Sequence, residues 1–173
     1  MYDECGEWER ALDFLERSEG KFKEIQSDLF LPEVYHRLAL VHLHTGHLEQ
    51  ARQLVDRSIA LADELEMALE RGISLRVRGQ ISVAQGMGEA AETALRESLD
   101  ILRRQGNQYQ MAETLYQLGR LYRSETAGEN WAGGAEARAA KAELVLGRAR
   151  DIFKRLGARR ALARVEEAIN EGG

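Results

Sequence analysis

The chain has 173 residues and a formal net charge of −5, a sign that argues against a nucleic-acid partner or an anionic membrane surface. One proline, 6% aromatic residues and abundant Ala, Leu, Glu and Arg favour an all-α protein. A lone Cys5 excludes an internal disulfide. Without an apolar run of roughly 18 residues or a basic N-terminal signal, we expect a cytoplasmic protein.

Small residues recur along the chain at a spacing of forty residues, in two interleaved series. A fixed period of this length predicts a repeated pair of helices, named here helix A and helix B. Glycine or alanine at the crossing lets the two helices of a pair approach closely. The predicted close-approach positions are Ala39, Gly79 and Gly119 in helices A, and Ala51, Ala91 and Ala142 in helices B.

The apolar spacing places these helices in chain order within a single domain that covers residues 1–173. We predict a half repeat at 6–28, whole repeats at 31–66, 67–106 and 107–157, and a capping helix at 158–171. The half repeat is a helix B without its helix A, which indicates a fragment of a longer protein. In the last repeat Ala142 follows Gly119 by twenty-three residues rather than twelve, so we expect an insertion near 125–140. Trp131 lies in that insertion and either packs locally or grips a ligand.

The sequence Leu115-x2-Leu118-Gly119-x2-Tyr122, followed by Ala142-x3-Leu-x2-Ala, resembles the tetratricopeptide repeat. The longer period is similar to that of arrays in bacterial multidomain signalling proteins, where the array follows an ATPase or nucleotide cyclase module. The resemblance implies a right-handed α-solenoid of antiparallel helix pairs, with helices A lining a concave groove that binds a protein or peptide. The family's groove positions, carried onto this chain, are His36, Leu40, His44, Arg76, Gln80, Tyr116, Arg120 and Arg123, with Arg37 and Gln117 at the margin.

Arginine dominates this set, and its planar fork of N–H groups suits carboxylates. We therefore expect a groove more basic than the whole chain and a partner that is acidic, although a solvated helical face explains the same arginines. A regulatory sensor arm of a larger bacterial signalling or transcription-regulating protein is the alternative function. Self-association through exposed terminal helices is a third.

Catalytic and metal chemistry find little support in the sequence. No nucleophile with its base, paired carboxylate site or phosphate-binding loop is present, so we expect neither an enzyme nor a cofactor. All four histidines fall between residues 36 and 47. Of these, only His44 and His47 are spaced to approach one ion, and no further ligand follows at a suitable interval, so we expect no metal site.

Overall fold

Helices account for the architecture throughout the part of the chain that the structure describes. The computed structural model describes residues 4–124 and 134–171, with side chains from Glu7 onward. These ranges hold eight α-helices and no strand. The helices are α1 (Glu4–Glu24), α2 (Leu31–His44), α3 (Leu48–Glu64), α4 (Ala68–Ala84), α5 (Gly88–Arg104), α6 (Gln108–Arg123), α7 (Gly134–Arg155) and α8 (Arg159–Asn170), with a short 3-10 helix at Asp28–Phe30.

Each helix packs on the next one in the chain, and the closest pairs are α2 with α3, α4 with α5, and α6 with α7. Helices α2, α4, α6 and α8 also contact one another in succession. These are the helices A, and their mutual contact places them in one layer, with α3, α5 and α7 packed against it as helices B. The arrangement confirms the predicted all-α solenoid, which buries its core between successive pairs.

The small residues lie where helix A crosses helix B in each pair. A Cβ atom added to Gly79 would lie 2.6 Å from Cγ of Leu95, and one added to Gly119 would overlap the Leu146 side chain. Both leucines are fully buried, so neither has free space to move into. The four alanine positions are buried to the same extent: Ala39, Ala51, Ala91 and Ala142.

Buried hydroxyl groups join the repeats beside these crossings. Ser58 donates to the carbonyl oxygen of Pro32 at 2.6 Å and lies 2.8 Å from the Ser74 hydroxyl of the next helix A. Forty residues on, Ser98 donates to the carbonyl oxygen of Gly72 at 2.7 Å and lies 3.2 Å from the Thr114 hydroxyl. Each serine thus links three helices, and its buried oxygen is satisfied.

Six of the eight described helices, all but α6 and α8, are followed by a residue with positive φ. Glycine takes this left-handed position after α2, α4, α5 and α7, but Gln26 (φ 53°) takes it after α1 and Glu66 (φ 56°) after α3. Gln26 turns the chain directly after α1, which ends at Glu24. The following Asp28–Phe30 turn then leads into α2, where Pro32 occupies the first turn.

Candidate functional site

A cavity of about 260 Å³ lies across the C-terminal ends of α2, α4 and α6, on the layer of helices A. We call it the central groove. Four of the ten residues expected in a binding groove line it together: His44, Gln80, Gln117 and Arg120. The remaining wall is largely apolar and comes from Leu43, Val83, Ala84 and Leu121. An apolar floor with a few polar groups is typical of ligand-binding clefts.

A larger cavity of about 840 Å³ adjoins it between α6, α7 and α8, and we call it the C-terminal cavity. Tyr116, Arg120 and Arg123 line it, so Arg120 faces both spaces. Its charged lining consists of Arg120, Arg123, Arg138, Arg164, Glu143, Glu167 and Glu171. Four arginines against three glutamates give a local formal charge of +1, whereas the whole chain carries −5. The part of this lining that the structure describes thus carries an excess of one positive charge, opposite in sign to the net charge of the chain.

Arg120, at this junction, has no ion-pair or hydrogen-bond partner among the residues that the structure describes. Its guanidinium carbon lies 6.0 Å from the centre of the Tyr116 ring, and Arg164 approaches the same ring at 5.4 Å. Arg164 is engaged by Glu113 at 2.7 Å. Arg120 is exposed and forms neither a hydrogen bond nor an ion pair with any residue in 4–124 or 134–171. It is thus available to an acidic group, with the Tyr116 ring beside it.

Arg123 has a different role, because its guanidinium donates to the carbonyl oxygen of Ile169 at 3.3 Å. That carbonyl belongs to the last turn of α8, where backbone oxygens lack partners within the helix. A cation at this end also favours the helix dipole. Arg123 therefore ties the final helix to α6, although it lines the C-terminal cavity.

The structure corrects the expectation that His36 and Arg76 face an open groove. His36 is only 5% exposed, and its Nδ1 lies 3.7 Å from a carboxylate oxygen of Glu70 in the next repeat. Burial, helped by the charges of Arg37 and Arg76, lowers the pKa of His36 to about 3, so the imidazole is neutral. Arg76 donates to the side chain and the backbone carbonyl of Gln110, at 2.7 and 3.2 Å. Arg76 therefore links α4 to α6, whereas the neutral His36 ring packs beside Glu70 without forming a hydrogen bond to it.

Arg37 and Leu40 lie away from the central groove. They line an apolar cavity of about 540 Å³ between α1 and α2, and Arg37 pairs with Glu33 of its own helix at 2.7 Å. Trp131, for which a ligand-gripping role was considered, lies outside the described residues.

The histidine cluster does not assemble around an ion. His44 stacks on Trp8 with ring centres 4.4 Å apart, while His47 lies against His42, not against His44 as the spacing indicated. Burial lowers the pKa of His42, and Nδ1 of His47 lies 2.9 Å from the Thr45 hydroxyl. Among the described residues, no group of three His, Cys, Asp or Glu side chains is arranged to hold a metal ion.

Sequence reasoning missed two features of the site. Arg164 reaches Glu113 and Tyr116 from α8, a contact that the repeat could not reveal because the insertion breaks its register. Tyr122 donates to Glu92 at 2.7 Å, and its burial, together with this bond, raises its pKa to about 12. The repeat motif includes Tyr122 but does not predict this bond.

Comparison with known proteins identifies the fold and no more. No family model matches the chain, and no curated protein matches it. A solved structure, BtubC (BKLC) from P. vanneervenii, is similar over 97% of this chain and 75% of its own, with a TM-score of 0.64 and 15% sequence identity. None of the helices in 4–124 and 134–171 is long and apolar enough to cross a membrane.

Proposed function

We propose that this chain is a tetratricopeptide-like, non-catalytic interaction module that binds an acidic peptide or partner segment along its layer of helices A. The observation that carries the proposal is Arg120, an exposed cation with no ion-pair partner in 4–124 or 134–171, at the junction of the central groove and the C-terminal cavity. The forty-residue repeat of helix pairs supports the same class of protein, because such stacks present extended binding surfaces.

The adjoining spaces fit an elongated ligand better than a compact one. The central groove crosses three helices A, from His44 on α2 to Gln117 on α6, and the C-terminal cavity extends the same surface towards α8. An acidic side chain placed between them would meet Arg120 and the Tyr116 ring, while apolar side chains would contact Leu43 and Val83.

The test is affinity capture from a cell lysate with the wild-type chain, Arg120→Glu and Arg148→Glu, compared by quantitative mass spectrometry. Arg148 is an equally exposed arginine on α7 that lines neither cavity, so it is the matched control. We expect a partner that Arg120→Glu loses and Arg148→Glu retains. Equal capture by all three chains would contradict binding of the partner at Arg120. Capture of nothing by any chain would contradict a binding scaffold and favour the regulatory arm.

A further inference from the structure

One position of helix A, three residues after the small residue, carries a different side chain in each complete repeat. The residues are His42 in α2, Ser82 in α4 and Tyr122 in α6, forty residues apart. Two of them are aromatic rings, and the third is a small hydroxyl side chain. Ser82 lines a cavity of about 390 Å³ between α3, α4 and α5, named here the lateral cavity.

The neighbouring repeats show how a ring is held at this position. Tyr122 is only 4% exposed, and its hydroxyl donates to Glu92 of α5 at 2.7 Å. The ammonium group of Lys141 on α7 lies 5.9 Å from the centre of the same ring. In the first repeat the His42 ring lies edge-on to the His47 ring, with 5.7 Å between the ring centres. An aromatic side chain therefore occupies this position on both sides of the second repeat.

The residues that surround Tyr122 have counterparts in the wall of the lateral cavity. Arg52, forty residues before Glu92, lines one side of it. Ala90 lines the other side and holds the place in α5 that Lys141 holds in α7, directly before the small residue of helix B. The lateral cavity thus lies where the Tyr122 ring lies one repeat later.

The two repeats also cross in the same way, so the spaces beside their crossings are comparable. Gly79 of α4 packs on Leu95 of α5, and Gly119 of α6 packs on Leu146 of α7. In both cases an added Cβ would overlap the leucine side chain. The helices of the second repeat are therefore as close together as those of the third, and the lateral cavity results from the missing ring rather than from a wider separation of helices.

The lateral cavity has an apolar base and a polar rim. Leu75, Ile81 and Ala94 are buried and line it. Met87, which is 44% exposed, adds a thioether of the kind that packs favourably on aromatic rings. A volume of about 390 Å³ is within the range of small-ligand sites. Because polar side chains enclose the apolar base, the cavity suits a small compound better than a segment of a protein.

Arginine dominates the charge of the rim. Arg52 and Arg78 line the cavity, and they lie 4.0 and 3.6 Å from Asp56, distances too long for a strong hydrogen bond. Arg52 also forms an ion pair within its own helix at 3.0 Å. The carboxylate on the rim, Glu97, accepts a hydrogen bond from Arg71 at 2.6 Å. A ring in this cavity would therefore meet guanidinium groups where the Tyr122 hydroxyl meets a carboxylate, which favours an anionic substituent.

We propose that the lateral cavity binds a small aromatic carboxylate, whose ring takes the place that Tyr122 fills in the third repeat and whose carboxylate contacts Arg52 and Arg78. The cavity shares no lining residue with the central groove or the C-terminal cavity. The site is thus separate from the surface proposed to bind an acidic partner.

Benzoate is the probe, titrated into the ¹⁵N-labelled chain and followed by two-dimensional NMR. We expect saturable shifts of the amide signals of Ser82 and Ala90. Benzamide, which has the ring without the charge, and cyclohexanecarboxylate, which has the charge without the aromatic ring, should each bind at least about threefold more weakly. Arg52→Gln should weaken benzoate about threefold and leave benzamide unchanged, since ion pairs at half-exposed sites contribute modestly. Arg148→Gln, on α7 and outside the cavity, should change neither affinity.

Filling the cavity tests its shape without a ligand. Ser82→Tyr combined with Arg52→Glu recreates the pairing of Tyr122 with Glu92. Because the new ring enters existing space, the variant should keep a Tm at least equal to that of the wild-type chain and should lose benzoate binding. Ser98→Tyr is the matched control, since Ser98 is fully buried and its hydroxyl donates to Gly72. It should lower the Tm, because the added ring has no free space there.

Four results would overturn the proposal. A lower Tm in the filled variant would show that the lateral cavity does not accept a ring. Benzoate binding that persists in that variant would place the ligand elsewhere. Equal affinities for benzoate and benzamide would contradict a role for the two arginines. Tighter binding of N-acetyltyrosine amide than of benzoate would assign the cavity to an aromatic side chain of a partner protein.

Discussion

Replacing Gly119 by alanine adds one methyl group at the tightest helix crossing in the described structure. The new Cβ would overlap Cγ and Cδ2 of Leu146, which is fully buried in the core. Overpacking costs about 1–3 kcal/mol, and the extent of this overlap points to the upper end. Part of this loss is offset because alanine is about 1 kcal/mol more favourable than glycine in a helix interior. The net loss should be about 2 kcal/mol, or roughly 4–8 °C in Tm for a chain of this size.

Gly147→Ala is the matched control, since Gly147 lies within α7 and a Cβ there meets nothing within 4 Å. It should gain about 1 kcal/mol from helix propensity alone. Leu146→Val, combined with Gly119→Ala, recreates the pairing of Ala39 with Val55, so the two changes should couple favourably by about 1–2 kcal/mol. Urea unfolding followed by circular dichroism measures all four free energies. A stabilised Gly119→Ala chain, or strict additivity with Leu146→Val, would refute the packing argument.

Three further changes test other parts of the structure by the same unfolding assay. Burial lowers the folded pKa of His36 to about 3, so below the usual 6.5 the unfolded chain binds a proton that the folded chain excludes. As the pH falls from 6.5 towards 3, the free energy of unfolding should therefore decrease by up to about 1.4 kcal/mol per pH unit. His36→Gln should make this dependence weaker between pH 7 and 5. An unchanged pH dependence would contradict the burial of this ring. Ser98→Ala removes the buried hydrogen bond to the Gly72 carbonyl and should lower the free energy of unfolding by about 1–2 kcal/mol. Thr93→Ala, on the exposed face of the same helix, should lower it by about 0.5 kcal/mol or less. Equal losses would contradict a stabilising role for the Ser98 hydrogen bond. Glu66→Gly relieves a left-handed residue and should gain about 1 kcal/mol; a loss would show that the φ of 56° is not strained.

The forty-residue period predicts the helix order and the solenoid because it reflects a physical requirement that each pair must meet. Gly79 and Gly119 repeat in the sequence since a larger side chain at either position would strike a buried leucine. This requirement involves only the residues at one crossing, so it can be recognised in the sequence as a small residue that recurs at a fixed spacing. At the equivalent positions of the first repeat the chain has Ala39 and the smaller Val55, which lie in one core cluster.

The candidate site was less predictable because neighbouring repeats decide which side chains remain free. His36 and Arg76 hold the same repeat position, and both are covered between helices A: His36 is buried beside Glu70, and Arg76 donates to Gln110. Periodicity tells which face a residue lies on, but the separation of adjacent helices A decides whether it is covered. Arg164 lay beyond prediction for another reason, since the insertion shifts α8 out of the forty-residue register.

The role of the helix A layer is tested most directly by site-specific photo-crosslinking. Benzoylphenylalanine at Gln117 lies in the central groove, and at Arg148 it lies on an exposed face of α7 away from both cavities. After irradiation in cell lysate, we predict that the chain labelled at 117 gives a covalent adduct with a partner and that the chain labelled at 148 does not. Adducts from position 148 alone, or equally from both positions, would contradict binding in the groove.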